Sequence, residues 1–285
     1  MAGSPTDPME QIRRYLDGAV DVVEPRDAAT VVLLRDGARG LEVYLLRRRT
    51  SMAFGAGMHV FPGGSVDARD RDASIGWVGP DPSVWARQLS CDTDLARALV
   101  CAAVRETFEE SGILLASHAG GAMVGDTTGD DWEADRLALV DGATSFSEFL
   151  ARRSLVLRAD LLRSWAHWIT PEWSSRRFDT RFFVAALPGK QQTRDVGGEA
   201  DHVTWLPVAE ALALHRDGAL TVMTATATTL RELSGFATVA SVLAAERRIR
   251  PIMRRAAVVD GEVRLVHDTA EDPLPTASPP EPPAA

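Results

Sequence analysis

Residues 104–112 of this chain read Val104-Arg105-Glu106-Thr107-Phe108-Glu109-Glu110-Ser111-Gly112. At 100° per residue, the carboxylates of Glu106, Glu109 and Glu110 lie on one face of a helix, within about one turn of each other. The apolar side chains of Val104 and Phe108 fall on the opposite face, where they can pack in a core. Because glycine readily adopts the left-handed conformation that ends helices, the stretch predicts a helix that stops at Gly112.

Three carboxylates at this helix end are unfavourable for two reasons. Like charges at helical-neighbour spacing repel, and negative charge in the last turn faces the negative end of the helix dipole. A cation would relieve both effects, and carboxylate oxygens without His or Cys favour hard ions such as Mg²⁺ or Mn²⁺. The simpler alternative is a solvated acidic helix end.

A β-hairpin is predicted upstream of this helix. Thr30–Leu34 and Leu41–Leu46 have strand composition and are separated by a Gly-containing turn. A third short strand, Met58–Phe61, ends at Pro62-Gly63-Gly64. A glycine turn at a strand end exposes a backbone carbonyl, which is a candidate ligand to complete a metal site.

The rest of the chain alternates helical and strand patterns, which indicates a mixed α/β class and excludes a bundle or a sandwich of sheets. The stretch after Gly64, which contains Gly76, Gly79, Pro80 and Pro82, is predicted to be loop-like, and the main helix is predicted to begin near Thr93 or Asp94, either of which could cap it. Further predicted helices span 132–140, 146–153, 207–214 and 228–248, the last interrupted by Gly235, and further strands 165–169, 181–186 and 203–206.

Composition excludes several classes of protein. The chain has 285 residues, 31 Lys and Arg and 40 Asp and Glu, giving a formal charge of −9, with 45% hydrophobic residues. These values are typical of a globular protein, and the acidity argues against binding duplex nucleic acid. No apolar run approaches the roughly 20 residues of a membrane span, and the N-terminal residues lack an apolar signal core, so we expect a cytoplasmic protein with no membrane contact.

Taken together, Phe61-Pro62-Gly63-Gly64 and Arg105-Glu106-x-x-Glu109-Glu110-x-Gly112-Ile113 resemble the Nudix box. This family hydrolyses nucleoside diphosphates linked to another moiety, and its fold is an α/β/α sandwich with a mixed β-sheet. The resemblance implies that Glu106, Glu109 and Glu110 are ligands of Mg²⁺ or Mn²⁺. It further implies a metal-binding carbonyl near Gly64 and a role for Arg105 in orienting the carboxylates.

The box departs from the family pattern in its length. The usual box has fourteen residues from its second glycine to its arginine, whereas Gly64 and Arg105 are 105 − 64 = 41 apart, an insertion of 41 − 14 = 27. The family's first box glutamate, eight residues before the arginine, falls on Arg97. Its supporting role is therefore missing or is taken by another acid such as Asp94.

A split box resembles the subgroup typified by the peroxisomal acyl-coenzyme A diphosphatases. The similarity extends to Trp165–Pro171, Arg177–Phe183 and Glu199–Pro207, and covers roughly residues 28–235. It implies a diphosphatase that splits coenzyme A or acyl-coenzyme A into 3′,5′-ADP and (acyl) phosphopantetheine. Two alternatives stay open. One is the same chemistry on ADP-ribose, dinucleotides or damaged nucleoside triphosphates, and the other is a non-catalytic Nudix-fold binding or regulatory module.

Candidate residues for the remaining roles follow from this resemblance. Arg49, Arg177 and Phe61 are predicted substrate contacts, although arginines of this kind are more often solvated surface charges. The general base is either Glu199, in a loop before the strand at 203–206, or Glu106. The strand histidines and tryptophans are expected to be structural.

The predicted domain organisation has four parts. Residues 1–24 are expected to form a flexible N-terminal arm, and residues 25–235 the Nudix hydrolase domain, with the insertion at about 65–92. Residues 236–270 are expected to form a helix and a strand that pack on this domain, and residues 271–285 a disordered Pro-rich tail. The expected partner is a small-molecule diphosphate. The sequence leaves the oligomeric state open, with a homodimer as one candidate.

Overall fold

Strands and helices alternate along the chain, as expected for an α/β protein. The structure is a computed structural model that describes residues 8–51, 55–194, 200–259 and 262–267. Its α-helices are α1 (Pro8–Leu16), α2 (Pro82–Leu89), α3 (Thr93–Ser111), α4 (Asp130–Val140), α5 (Phe146–Arg152), α6 (Val208–Arg216), α7 (Thr224–Leu233) and α8 (Val239–Leu243). Its strands are β1 (Arg26–Gly37), β2 (Gly40–Arg48), β3 (His59–Val60), β4 (Gly63–Ser65), β5 (Trp77–Val78), β6 (Ala116–His118), β7 (Leu155–Arg158), β8 (Leu162–Ile169), β9 (Phe178–Ala186), β10 (Ala200–Pro207), β11 (Pro251–Val259) and β12 (Glu262–His267).

Two compact units divide the described residues. The larger comprises those within Arg26–Trp168 and Phe178–Ile249, and the smaller those within Met1–Pro25, Ile169–Arg177 and Arg250–Ala285. In the described residues, no helix is both long enough and apolar enough to cross a membrane.

The larger unit is built on a mixed sheet in the order β10-β2-β1-β9-β8. The hairpin of β1 and β2 closes at the pair Gly37 and Gly40, which confirms the predicted turn. Strand β9 runs parallel to β1, and the short strands β4 and β3 pair antiparallel with β1 and β2 respectively. The predicted α/β class with a mixed sheet is therefore confirmed.

Strand β1 is buried on both sides. Val31, Val32, Leu33 and Leu34 are each 0% exposed, although alternate residues of a strand point to opposite faces. Helices therefore have to cover both faces. Helix α3 packs on β1 through the core that contains Val31 and Leu33, and α8 also contacts β1 and β9.

Helix α3 ends where the sequence predicts and begins at Thr93, but its capping residue differs from the prediction. Gly112 follows Ser111 in the left-handed conformation, with φ of 74°. At the other end, the side chain of Asp92 accepts a hydrogen bond from the amide of Leu95 and caps the helix. Neither Thr93 nor Asp94 is the cap, because Asp92 precedes both and offers the same kind of acceptor.

Two regions differ from the predictions. The stretch taken as loop-like contains β5 and α2, and Trp85 of α2 is buried edge-on against Phe183, with ring centroids 5.8 Å apart. Pro82 begins this helix after the capping residue Asp81, a position where proline costs nothing because its missing amide would be unpaired anyway. The helical pattern predicted over 228–248 is interrupted around Gly235 as expected and forms two helices, α7 and α8, but the second already ends at Leu243.

The smaller unit contains α1, the segment 169–177 and the antiparallel hairpin of β11 and β12. Within it, the Tyr15 hydroxyl donates to the Glu172 carboxylate and the Tyr15 ring packs on Trp173. Residues 251–267 thus form two strands instead of the one expected. The first seven residues of the predicted arm and the predicted tail at 271–285 lie outside the described residues.

Candidate active site

The last two turns of α3 carry the predicted acidic cluster. The opposite face of this helix, including Leu99, Val100, Val104 and Phe108, is at most 1% exposed and fixes the rotation of the helix about its axis. Arg105, Glu106, Glu109 and Glu110 therefore emerge together beside the glycine turn that precedes and forms β4.

Arg105 is the centre of a hydrogen-bond network. Its Nε and Nη2 atoms donate to the two carboxylate oxygens of Asp70 at 3.0 and 2.9 Å. Its Nη1 donates to Glu106 at 2.8 Å and to Glu109 at 3.2 Å, and Nη2 also reaches the carbonyl oxygen of Ser65 at 3.0 Å. Arg105 thus joins two of the predicted ligand carboxylates to the chain that follows the glycine turn.

Asp70, and not Asp94, lies where the first acid of the box would support Arg105 and the glutamates. It is 1% exposed and lies on a short 3₁₀ helix, Ala68–Arg71. In the family's box the first acid lies 14 − 8 = 6 residues after the second glycine, and 64 + 6 = 70. Counting forward from Gly64 therefore reaches Asp70, whereas counting back from Arg105 gives Arg97. The extra 35 − 8 = 27 residues lie after Asp70, since Asp70 and Arg105 are 35 residues apart.

Glu106 packs directly against the glycine turn. A Cβ atom placed on Gly64 would lie 2.5 Å from Glu106 Oε1, so any larger residue would displace this carboxylate. Burial raises the pKa of Glu106 to about 7, and the charge of Glu109 adds to this effect while Arg105 opposes it. Burial also raises the pKa of Glu109, again opposed by Arg105.

Glu110 points to the other glycine. Its Oε2 atom accepts a hydrogen bond from the Gly63 backbone amide at 2.8 Å. A Cβ on Gly63 would lie 2.4 Å from the carbonyl oxygen of Ala29, so the pairing of β4 with β1 requires a glycine here. Each glutamate of the cluster is therefore held by a contact at the glycine turn or at Arg105.

The metal-binding hypothesis can be compared with this geometry. Within the described part of the chain, no three His, Cys, Asp or Glu side chains converge in a way that could hold a metal ion. Instead, Arg105 donates hydrogen bonds to Oε1 of Glu106 and to Oε1 of Glu109, while Glu110 accepts one from the Gly63 amide. The donor set still fits a hard cation, because it consists of carboxylate oxygens. One of these carboxylates, Glu106, is buried, and the loss of hydration of its charged form raises its pKa. A cation ligated by Glu106 and Glu109 would compete with Arg105 for these oxygens.

A second arginine contacts the end of α3 and was not singled out from the sequence. Arg136 of α4 is 3% exposed, and its Nη1 donates to the backbone carbonyl oxygen of Glu109 at 2.7 Å. Its one sequence signal is its place on the buried side of α4, four residues after Trp132 and three before Leu139.

The predicted substrate residues occupy different environments. Arg49 is exposed directly after β2. Phe61 is 3% exposed, and Arg177 is 6% exposed with its guanidinium donating to the carbonyl oxygens of Thr170 and Val23 at 3.0 and 2.7 Å. Because buried side chains with satisfied donors hold the fold together, the geometry gives Arg177 and Phe61 no support as substrate contacts.

The candidate base Glu199 lies outside the described residues. Nearby in sequence, Asp201 pairs with Arg47 at 2.6 Å. Among the histidines, His167 is buried and contacts Asp179 at 2.5 Å on the neighbouring strand, a structural arrangement as expected. Trp165 is likewise a core residue, 1% exposed.

Comparison with known proteins gives consistent matches. The family profile of the NUDT19 Nudix domain matches residues 81–227. Acyl-coenzyme A diphosphatase NUDT19 of Gallus gallus is 30% identical over 210 residues, and the match covers 57% of this chain and 55% of that protein. The Xenopus laevis protein of the same name is 28% identical over 210 residues, and the match covers 60% of this chain and 54% of that protein. The chain thus matches about half the length of these relatives. A crystal structure of a Nudix hydrolase from Alicyclobacillus acidocaldarius, 28% identical, superposes with a TM-score of 0.68 over 80% of this chain and 99% of that one.

Proposed function

This chain belongs to the Nudix hydrolases with a NUDT19-type domain, and from that premise we propose that it is a metal-dependent diphosphatase acting on coenzyme A or acyl-coenzyme A. The products would be 3′,5′-ADP and (acyl) phosphopantetheine. The substrate is suggested by the relatives named acyl-coenzyme A diphosphatase, which are 30% and 28% identical to this chain.

One observation carries the proposal of catalysis, namely the network around Arg105. Arg105 contacts Asp70, Glu106 and Glu109 at once, and it also donates to the carbonyl oxygen of Ser65, directly after the glycine turn. Three acids and one arginine in a largely buried cluster are costly to fold, since each ion must leave water. A non-catalytic Nudix-fold module has no use for such a cluster, so this arrangement favours an enzyme.

Glu106, Glu109 and Glu110 would hold the Mg²⁺ or Mn²⁺, with the carbonyl near Gly64 as a further ligand. When bound, such an ion would supply charge neutralisation at the diphosphate and would lower the pKa of a water beside it. Arg105 keeps the carboxylates of Glu106 and Glu109 facing the turn.

Two candidates remain for the general base. Glu106 is supported by its place in the acidic cluster, where its carboxylate packs against Gly64. Glu199 is supported by its place in the sequence, before β10, where some enzymes of this family carry a loop acid. Glu199→Gln distinguishes them: if Glu199 is the base, this variant loses the limb of the pH–rate profile on which the rate rises with pH, and if Glu106 is the base, the limb is retained.

Substrate phosphates need positive charge. Arg49 is exposed at the end of β2, two residues beyond Arg47, which is paired with Asp201. We include Arg49 as the candidate phosphate contact, because an exposed guanidinium can form two parallel hydrogen bonds to a phosphate.

The proposal is tested by a screen of diphosphate substrates with Mg²⁺ and with Mn²⁺, the products being identified by mass spectrometry. We expect 3′,5′-ADP from coenzyme A, and Glu110→Gln should lower the rate by at least about tenfold, or roughly 1.4 kcal/mol of barrier. If the protein cleaved only ADP-ribose, dinucleotides or oxidised nucleoside triphosphates, that compound would replace coenzyme A as the proposed substrate. No turnover of any diphosphate would refute the enzyme and favour the binding module.

A cytoplasmic location and the oligomeric state are separate proposals from the sequence. Fractionation of cells tests the first, and light scattering of the purified chain tests whether it forms the homodimer considered above.

A further inference from the structure

The box helix α3 is held at its end by an arginine from another helix. Arg136 of α4 is 3% exposed and donates from Nη1 to the carbonyl oxygen of Glu109 at 2.7 Å. Glu109 and its neighbour Glu110 both belong to the acidic cluster. The contact is therefore made at the backbone of the turn from which two of its carboxylates project.

Helix ends need such contacts, because the last four carbonyl groups have no partner within the helix. Here the donors come from distant parts of the chain. Arg136 serves Glu109, the Arg194 amide donates to the carbonyl of Ser111 at 3.0 Å, and the Thr127 hydroxyl donates to the carbonyl of Gly112 at 2.7 Å. Of these donors Arg136 alone brings a full charge, which is favourable at the negative end of a helix dipole.

The guanidinium of Arg136 is itself fixed in orientation. Glu133, one turn earlier on α4, accepts hydrogen bonds from its Nε and Nη2 at 2.9 and 2.7 Å. Glu133 also pairs with the side chain of Arg194, whose Nη1 donates to the carbonyl of Thr128 at 3.0 Å. With its Nε and Nη2 atoms held by Glu133, the guanidinium presents Nη1 to the Glu109 carbonyl.

We propose that Arg136, oriented by Glu133, is a positioning residue that fixes the last turn of α3 and so holds Glu109 and Glu110 in the geometry that binds the divalent cation. The part that concerns the cation rests on the proposed function. Arg136 acts through the backbone and touches neither substrate nor reacting atoms. The chain between β6 and β7, which supplies α4, thereby has a role in the site.

Three variants test the proposal. Arg136→Met removes the charge and the donors at similar length, Arg136→Lys keeps the charge and one donor, and Arg152→Gln is the control. Arg152 pairs with Asp135 on α4 at the surface, with half of its side chain exposed, and does not reach α3. Each variant is measured for Mn²⁺ affinity, by electron paramagnetic resonance of free Mn²⁺, and for hydrogen–deuterium exchange at residues 108–112.

Arg136→Met should weaken Mn²⁺ binding by about tenfold, as happens when an outer partner of a metal ligand is lost. Amides of residues 108–112 should exchange faster, and kcat should fall with KM changed less than about twofold, because binding of the substrate's distant parts is untouched. Arg136→Lys should recover part of both losses, and Arg152→Gln should match the wild type.

Wild-type Mn²⁺ affinity in folded Arg136→Met would overturn the proposal, as would equal losses in Arg152→Gln. If Arg136→Met does not fold, Glu133→Gln replaces it, because this variant weakens the hold on the guanidinium without removing it. Unchanged Mn²⁺ affinity in Glu133→Gln would likewise overturn the proposal. A wild type that binds Mn²⁺ but cleaves no diphosphate refutes the proposed function alone. A wild type that binds no Mn²⁺ refutes both.

Discussion

Asp70 and Arg105 are 35 residues apart in the chain, yet their side chains form two parallel hydrogen bonds, Nε to Oδ1 at 3.0 Å and Nη2 to Oδ2 at 2.9 Å. The pair joins the two halves of a motif that an inserted segment separates in sequence. Asp70 is 1% exposed and the Arg105 side chain 12% exposed, so the pair is shielded from water. Loss of either partner therefore leaves a buried charge with less compensation.

Asp70→Asn should destabilise the protein and impair catalysis. We expect a loss of about 3 kcal/mol, at the lower end for a broken buried pair, because Arg105 keeps Glu106 and Glu109. Thermal unfolding and the rate of coenzyme A cleavage measure the two effects. Asp81→Asn is the matched control at a nearby position of the chain, since Asn caps α2 as well as Asp does. Equal behaviour of the two variants would contradict a special role for Asp70.

Gly64→Ala should lower Mn²⁺ affinity and activity by at least about tenfold, because the new methyl group would lie 2.5 Å from Glu106 Oε1 and displace the carboxylate. Gly189→Ala is the control, as a Cβ there meets no atom within 4 Å. Calorimetric titration with Mn²⁺ provides the measurement. Should Gly64→Ala bind Mn²⁺ as tightly as the wild type, Glu106 does not need its place against the turn.

Mn²⁺ should stabilise the protein and chelation should reverse the effect. At 100 times the dissociation constant the gain is about 2.7 kcal/mol, or a rise in Tm of roughly 5 °C. Glu106→Gln should abolish this rise, whereas Glu210→Gln on α6, an exposed partner of Arg39, should not. The Tm is measured by differential scanning fluorimetry. A full rise in the Tm of Glu106→Gln on adding Mn²⁺ would exclude Glu106 as a ligand.

Asp179→Asn should destabilise the protein at pH 7 and much less at pH 3. Burial alone would raise the pKa of Asp179, but contacts with His167 and Arg181 outweigh it and hold the pKa below the usual 3.8. For a carboxyl with a lowered pKa, the stabilisation is present above the unfolded value and is lost as pH falls through the folded value.

The difference in Tm between Asp179→Asn and the wild type should therefore shrink from pH 7 to pH 3. Asp217→Asn, which alters an exposed carboxylate of α6's end, should differ from the wild type by less than about 0.5 kcal/mol at either pH. A constant difference for Asp179→Asn across this range would show that packing and not charge is lost.

The parts of the fold that could be predicted are those set by local patterns. The β1–β2 hairpin follows from two strand-like runs around Gly37 and Gly40, and α3 follows from its helical spacing with Gly112 as the stop. The shared face of Glu106 and Glu109 is also local, since helix geometry alone sets it.

Asp70 and Arg136 could not be found in this way, for different reasons. Asp70 was missed because counting back from Arg105 crosses an insertion whose length no local rule fixes. Arg136 is the single arginine of α4, and arginines of helices are usually solvated. Its burial depends on where α4 packs, which is a property of the tertiary structure.

The inserted segment also limits how far the box of this chain can be shortened. Trp85 of α2 is 2% exposed and packs edge-on against Phe183 of β9, so the segment that lengthens the box is part of the core. Its removal would take this ring away from Phe183, at a cost of several kcal/mol for the lost aromatic alone. A chain cut back to the usual box length would therefore need other side chains to fill the place of Trp85.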